Sequence, residues 1–245
     1  MHNITDKIRK YLTRDDFMDS LNALAPAGTS VDKVAGAYIS AVATDAKLQR
    51  FDLAMHLAAM TKCIRMGLHP GPLNHVYLIS QRGIIDAMPS YKGMIARIKR
   101  HSSVQSVQAH TVHEGDTFKM SAGTAPKIEH EIKLGDRGAF RGVYAIVFYS
   151  DGSFQFDYMD SGEVEQIKSN TQGGQSGSSP WVKWFDQMAK KSIVKRLISF
   201  MGFEDSGLGA IVEIEDGQTD GEISQAETDK TGPLGTFIDH ENKSE

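Results

Sequence analysis

The apolar residues of this chain change their spacing once, and that change limits what it can fold into. Up to Gly67 they recur at helical intervals: Val31, Val34, Tyr38 and Val42, then Leu53, Leu57, Met60 and Ile64. Residues 1–30 read as helix broken at Pro26-Ala-Gly28, with Thr13 as an N-cap ahead of Asp15 and Asp16. Gly67 suits a left-handed helix end, and His69-Pro-Gly-Pro72 forbids continuation. Past this point the period falls towards two. Val76–Ile79 and Ile84–Met88 flank Gln81-Arg-Gly83 as a hairpin, and a helix follows over Ser90–Arg100. Residues 104–113 and 127–134 alternate, with Glu114-Gly-Asp116 as a turn, and Gly142–Tyr149 and Phe154–Met159 form a hairpin about Asp151-Gly152. Asp160 and Glu163 form a capping box that opens a helix. After a polar loop at 171–179, Pro180 starts a long helix to about Met201. No βαβ unit repeats. The expected class is α+β: N-terminal helices, an antiparallel β-meander of hairpins, a long basic C-terminal helix and a disordered acidic tail.

The net charge of -4 hides an asymmetry. From Glu204 onward twelve acidic residues face only Lys230 and Lys243, so this stretch carries -10. The first 203 residues hold 25 Lys and Arg against 19 Asp and Glu, or +6. The expected division is therefore a basic body over residues 1–203 and an acidic tail over 204–245, which would shield the body or dock a partner. Such a charge pattern suits a nucleic-acid binder but also arises by accident. No apolar run approaches a membrane span and the first residues lack a signal-peptide core, so the expected location is cytoplasmic. Cys63 is the only cysteine, which excludes an intrachain disulfide framework and every site that needs two thiolates.

Most catalytic patterns are missing. The Gly173–Ser179 loop holds no lysine, so it is not a phosphate-binding P-loop, and no G-x-G-x-x-G opens a βαβ unit. His110 and His113 stand three apart on an expected strand, on opposite faces, and cannot readily share an ion. Neither a catalytic set nor a cofactor site is expected, with a weakly held Mg²⁺ among carboxylates left open. Cys63 sits on an apolar helical face and reads as core.

Two cationic segments stand out. Tyr91–Arg100 carries Lys92, Arg97, Lys99 and Arg100 without an acid; Pro180–Leu197 carries Lys183, Lys190, Lys191, Lys195 and Arg196 against Asp186 alone. Each also fits an amphipathic helix with a solvated basic face. Aromatic residues among the cations favour a nucleic-acid surface, and at helical spacing Trp184, Lys191 and Lys195 share one narrow arc.

With the sequence between them, these segments resemble the RecT/Redβ family of phage-type single-strand DNA annealing proteins, the RecT branch in particular. The similar stretches are Met66–Ile79, Tyr91–Ile95, Val107–Asp116, Pro180-Trp181 and the run Met188-Ala-Lys-Lys-Ser-Ile-Val-Lys-Arg196, in order. The resemblance implies an ATP-independent, non-enzymatic protein of the bacterial host cytoplasm. It also implies that the body over residues 1–203 is the DNA-binding, oligomerising domain. The protein would coat single-stranded DNA as a homo-oligomeric ring or helical filament and anneal complementary strands into a duplex. A phage exonuclease and the host single-strand binding protein are the implied partners. Tyr91 and Lys92 match the family's Tyr-Lys-Gly, and Lys190, Lys191, Lys195 and Arg196 match its Lys-Lys-x-x-x-Lys-Arg. Pro89-Ser90 departs from the family's usual Ile-Gly, so the strand-to-helix junction is expected to differ.

An annealing protein must leave Watson–Crick edges open, so contacts are expected to run through phosphates, with Trp181 and Trp184 seating their helix in the core. The competing class is a metal-dependent nuclease using acids such as Glu114 and Asp116.

Overall fold

Local capping chemistry sets most of the helix ends. In a computed structural model describing residues 3–81, 83–171, 173–202 and 205–219, the chain divides into two compact units. The first comprises Met1–Arg97 with Phe203–Glu245, the second Ile98–Gly202.

In the first unit, helices α1 (Ile4–Leu12), α2 (Asp15–Leu24), α3 (Val31–Thr44) and α4 (Leu53–Met66) precede the hairpin of β1 (Val76–Gln81) and β2 (Ile84–Pro89). Ser30 and Asp52 cap α3 and α4 through bonds from the Lys33 and Met55 amides, and left-handed Gly67 closes α4. Thr13 corrects the reading of it as an N-cap. Its hydroxyl donates back to the Lys10 carbonyl, so it ends α1, and Arg14 precedes α2. Ile8, Phe17, Leu21, Tyr38, Met60 and Ile64 form the core and are fully buried. Helix α5 (Tyr91–Ile98) follows β2 directly.

The expected disordered tail is corrected over its first part. Ser206–Thr219 form a helix, α9, that packs on α4 and buries Leu208, Ile211 and Ile214, which recur every three residues. Residues 220–245 of the expected tail lie outside the described residues.

The second unit is a three-stranded antiparallel sheet ordered β3 (Val104–His113), β6 (Phe140–Tyr149), β7 (Phe154–Asp160). The expected meander is interrupted: β4 (Thr117–Ser121) and β5 (Lys127–Glu131) form their own hairpin between the first two strands. One sheet face carries Val143, Ala145, Val147 and Met159; its helical cover comes from α6 (Ser161–Asn170) and α8 (Phe185–Met201). The opposite face carries Tyr144, Ile146, Phe148, Phe154, Phe156 and Tyr158, with Phe118 and Ile128 of the β4–β5 hairpin packed against it. The expected capping box is present, Asp160 and Glu163 each accepting the other's backbone N–H. Among the described residues no helix is long and apolar enough to cross a membrane.

Candidate nucleic-acid interface

The two cationic segments fall in different places: Tyr91, Lys92 and Arg97 belong to the first unit, and Lys183–Arg196 to the second. Lys99 and Arg100 follow α5 and are exposed.

The start of α5 is fixed by a close approach. A Cβ on Gly93 would lie 2.2 Å from the His75 carbonyl oxygen, so the third residue of the Tyr-Lys-Gly motif must lack a side chain. Ser90, the departure from the family pattern, closes the junction. Its hydroxyl donates to the Asn74 carbonyl at 2.5 Å and accepts from the Gly93 amide at 3.1 Å. This anchoring turns Lys92 to solvent and leaves Tyr91 half-buried.

Arg97 points the other way. It is 2% exposed, and its guanidinium grips Asp205 through Nε at 3.0 Å and Nη2 at 2.8 and 2.7 Å. Asp205 also accepts the Leu208 amide, opening α9. A charge committed to this pair inside the fold is not presented to a DNA backbone, which corrects its assignment to the surface. Burial raises the Asp205 carboxyl's pKa, and the hydrogen bonds and charge of Arg97 together with the Leu208 and Gly207 amides more than offset that, so it lies below the ordinary range.

The expected single helix from Pro180 to Met201 is two. Helix α7 (Pro180–Lys183), with Ser179 as its cap, ends at Trp184, whose backbone angles of φ -137° and ψ 44° are not helical. The arc expected to unite Trp184, Lys191 and Lys195 is therefore broken. Trp181 is 2% exposed and seats the segment as expected; Trp184, expected to do likewise, is 64% exposed.

The five cations here divide by burial. Lys183 is exposed, Lys190 and Lys195 are half-buried, and Lys191 is 6% exposed among the core residues of α8. Arg196 binds Asp157 of β7 through Nε at 2.5 Å and Nη2 at 3.0 Å, and Glu163 of α6 at 2.7 Å. It ties three elements of its unit together, so like Arg97 it serves the fold. Lys190 lies near enough to His110 to help lower that imidazole's pKa, after the larger effect of burial.

Of the two acids expected of a nuclease, Asp116 is employed in the fold. Asp116 has no exposed side-chain surface; it accepts Arg137 Nε at 3.0 Å and the amides of His113 at 2.8 Å and Lys133 at 3.0 Å. Hydrogen bonds from Arg137, foremost, hold its carboxyl far below the usual range. His110 meets Tyr144 and His130, while the His113 ring packs on Phe140. Among the described residues no group of three or more His, Cys, Asp or Glu could hold a metal ion. The Val107–Asp116 stretch is thus a folded clasp, in which Glu114 and Gly115 donate backbone bonds to the Ala139 and Arg137 carbonyls.

Sequence reasoning placed Trp184 in the core, where it is not, and did not anticipate the pairing of Asp205 with Arg97. A tryptophan next to a helix break and an acid beginning an i, i+3 apolar run were the available signals.

Residues 31–231 match the model of the RecT family. The chain is 26% identical over 200 residues to Protein RecT of Escherichia coli (strain K12), an alignment covering 78% of this chain and 74% of that protein. With most of its length matched in this way, the chain belongs to the RecT family.

Proposed function

We propose that the protein binds single-stranded DNA and anneals complementary strands in homologous recombination, without ATP and as an oligomer. Family membership is the observation that carries this reading. The contacts it assigns are Tyr91, Lys92, Lys99, Arg100, Lys183, Lys190 and Lys195, through the sugar–phosphate backbone. Lys92, Lys99 and Lys183 support it best, being exposed with no ion pair among the described residues. Ammonium groups on phosphates leave the base edges open for a complementary strand. Strand pairing itself releases about 1.4 kcal/mol per stacked step, so annealing needs no nucleotide hydrolysis.

Mixing complementary oligonucleotides with the protein, without nucleotide, is expected to speed pairing well above the spontaneous rate. Replacing Lys92, Lys99 and Lys183 by Glu should weaken single-strand binding and lower the log–log salt slope by about 0.7 for each lost phosphate contact. No acceleration at any salt or protein concentration overturns the reading. Electron microscopy of the protein on single-stranded DNA tests the ring or filament.

A further inference from the structure

We infer that Trp184, with Lys183 beside it, is a stacking site for one nucleobase of a bound single strand. The inference rests on the strand-binding reading above and adds a kind of contact it lacks.

Trp184 leaves most of its ring in solvent. The residue joins α7 to α8 through its backbone alone: its N–H donates to the Pro180 carbonyl at 2.7 Å, and its carbonyl accepts from Gln187 and Met188, each at 3.0 Å. Anchoring is done by neighbours. Trp181 is buried edge-on to Phe185, and Phe185 packs edge-on against Phe140 of β6. Among the described residues the Trp184 indole makes no ring contact and no hydrogen bond. An indole 64% exposed is a large apolar surface left in water.

A second protein copy could cover it, but the surroundings fit a nucleotide better. The cores of protein interfaces are depleted in lysine and need contiguous apolar surface. Trp184 is followed in sequence by half-buried Phe185 and Asp186 and exposed Gln187, and preceded by exposed Lys183; among residues 181–188, half-exposed Val182 is the one other large apolar side chain that is exposed. A flat aromatic face next to a solvated cation is the pairing that holds a base by stacking and its phosphate by charge. Stacking uses the π-face of a base and leaves its Watson–Crick edge open, so one such contact per protomer is compatible with annealing.

The test compares the parent, Trp184→Ala, Trp184→Phe and Lys183→Ala by anisotropy with a labelled oligothymidylate across a salt series. Trp184→Ala should weaken binding about 5- to 140-fold per protomer, with Trp184→Phe keeping much of the affinity. The salt slope should stay unchanged in Trp184→Ala and fall by about 0.7 in Lys183→Ala, because only the latter gives up a phosphate. Indole emission of the parent should be quenched by the oligonucleotide, and that of Trp184→Phe should not. If Trp184→Ala binds within twofold of the parent, or the parent's emission ignores a strand that anisotropy shows bound, the stacking site is wrong while strand binding stands. If the part of the parent's emission that Trp184→Phe loses is already blue-shifted and shielded from iodide before DNA is added, a second copy covers the ring, which also overturns it. A parent that binds no strand removes both readings.

Discussion

Replacing Asp205 by alanine should be among the most damaging single changes in the first unit, although the residue lies in the acidic stretch. Arg97 is 2% exposed on its side chain and Asp205 18%, so the pair is largely withdrawn from water and weakly screened. Removing the acid strands a guanidinium that has no route outward: a Cβ on Gly207 would sit 2.6 Å from its Nε and 2.9 Å from Pro26 Cγ, so the surroundings are already closed. Leaving one buried charge without its partner costs about 3–5 kcal/mol, and losing the bond to the Leu208 amide contributes about 1 kcal/mol of that scale. A domain stable by about 5–15 kcal/mol would lose a large share. Removing the other partner should be milder. In Arg97→Met the remaining carboxylate is closer to water and keeps its cap, while the methionine fills apolar space. Urea unfolding followed by circular dichroism measures this, with Asp205→Ala, Arg97→Met and the double variant forming a cycle. The double variant should be more stable than Asp205→Ala alone. A loss below about 1 kcal/mol in Asp205→Ala, or an equal loss in Arg97→Met, would refute a buried pair as the anchor of α9.

The Asp116 carboxyl, held low by Arg137, takes up its proton later than in the unfolded chain. Its contribution is thus present above the unfolded carboxylate pKa of about 3.9 and fades as pH falls below that. Urea midpoints between pH 7 and pH 3 should drop steeply in the parent and less in Asp116→Asn, which starts lower. Alanine at Gly93 would meet the His75 carbonyl at 2.2 Å and should cost about 1–3 kcal/mol, whereas alanine at Gly36 in α3 meets nothing within 4 Å and should gain up to about 1 kcal/mol. Thermal melts of the two variants check the opposite signs. Cys63 is fully buried and its thiol is pushed up to about 12, so it should resist a disulfide reagent until the protein is unfolded.

What the sequence disclosed was set by interactions close along the chain. The caps at Ser30, Asp52 and Asp160, the left-handed Gly67 and the hairpin at Gly83 all depend on residues within four positions, and all appear where their patterns stand. Burial of charge was illegible because its causes are remote: Arg97 meets an acid 108 positions away and Arg196 one 39 positions away. The β4 strand was missed because Thr117-Phe-Lys-Met-Ser121 is short and mostly exposed, and only its pairing with β5 makes it a strand. For α9 the charge of the stretch obscured Leu208, Ile211 and Ile214, whose spacing was there to be counted.

The cations sort by chemistry as well as by position. Arg97, Arg137 and Arg196 each face a carboxylate with at least two nitrogens, the geometry a planar fork allows and an ammonium does not. Such fixed pairs join segments: α5 to the start of α9, β3–β4 to the chain after β5, β7 and α6 to α8. Lys92, Lys99 and Lys183 instead stand in solvent on flexible stems. Under the proposed function, a strand that slides to find its complement needs contacts that exchange without a fixed geometry, and a hydrated point charge on a phosphate would supply that. Counting basic residues along a helix therefore overstates its solvated charge: Arg97 and Arg196 are spent on the fold, and Lys92, Lys99 and Lys183 are left in solvent for the strand contacts we propose.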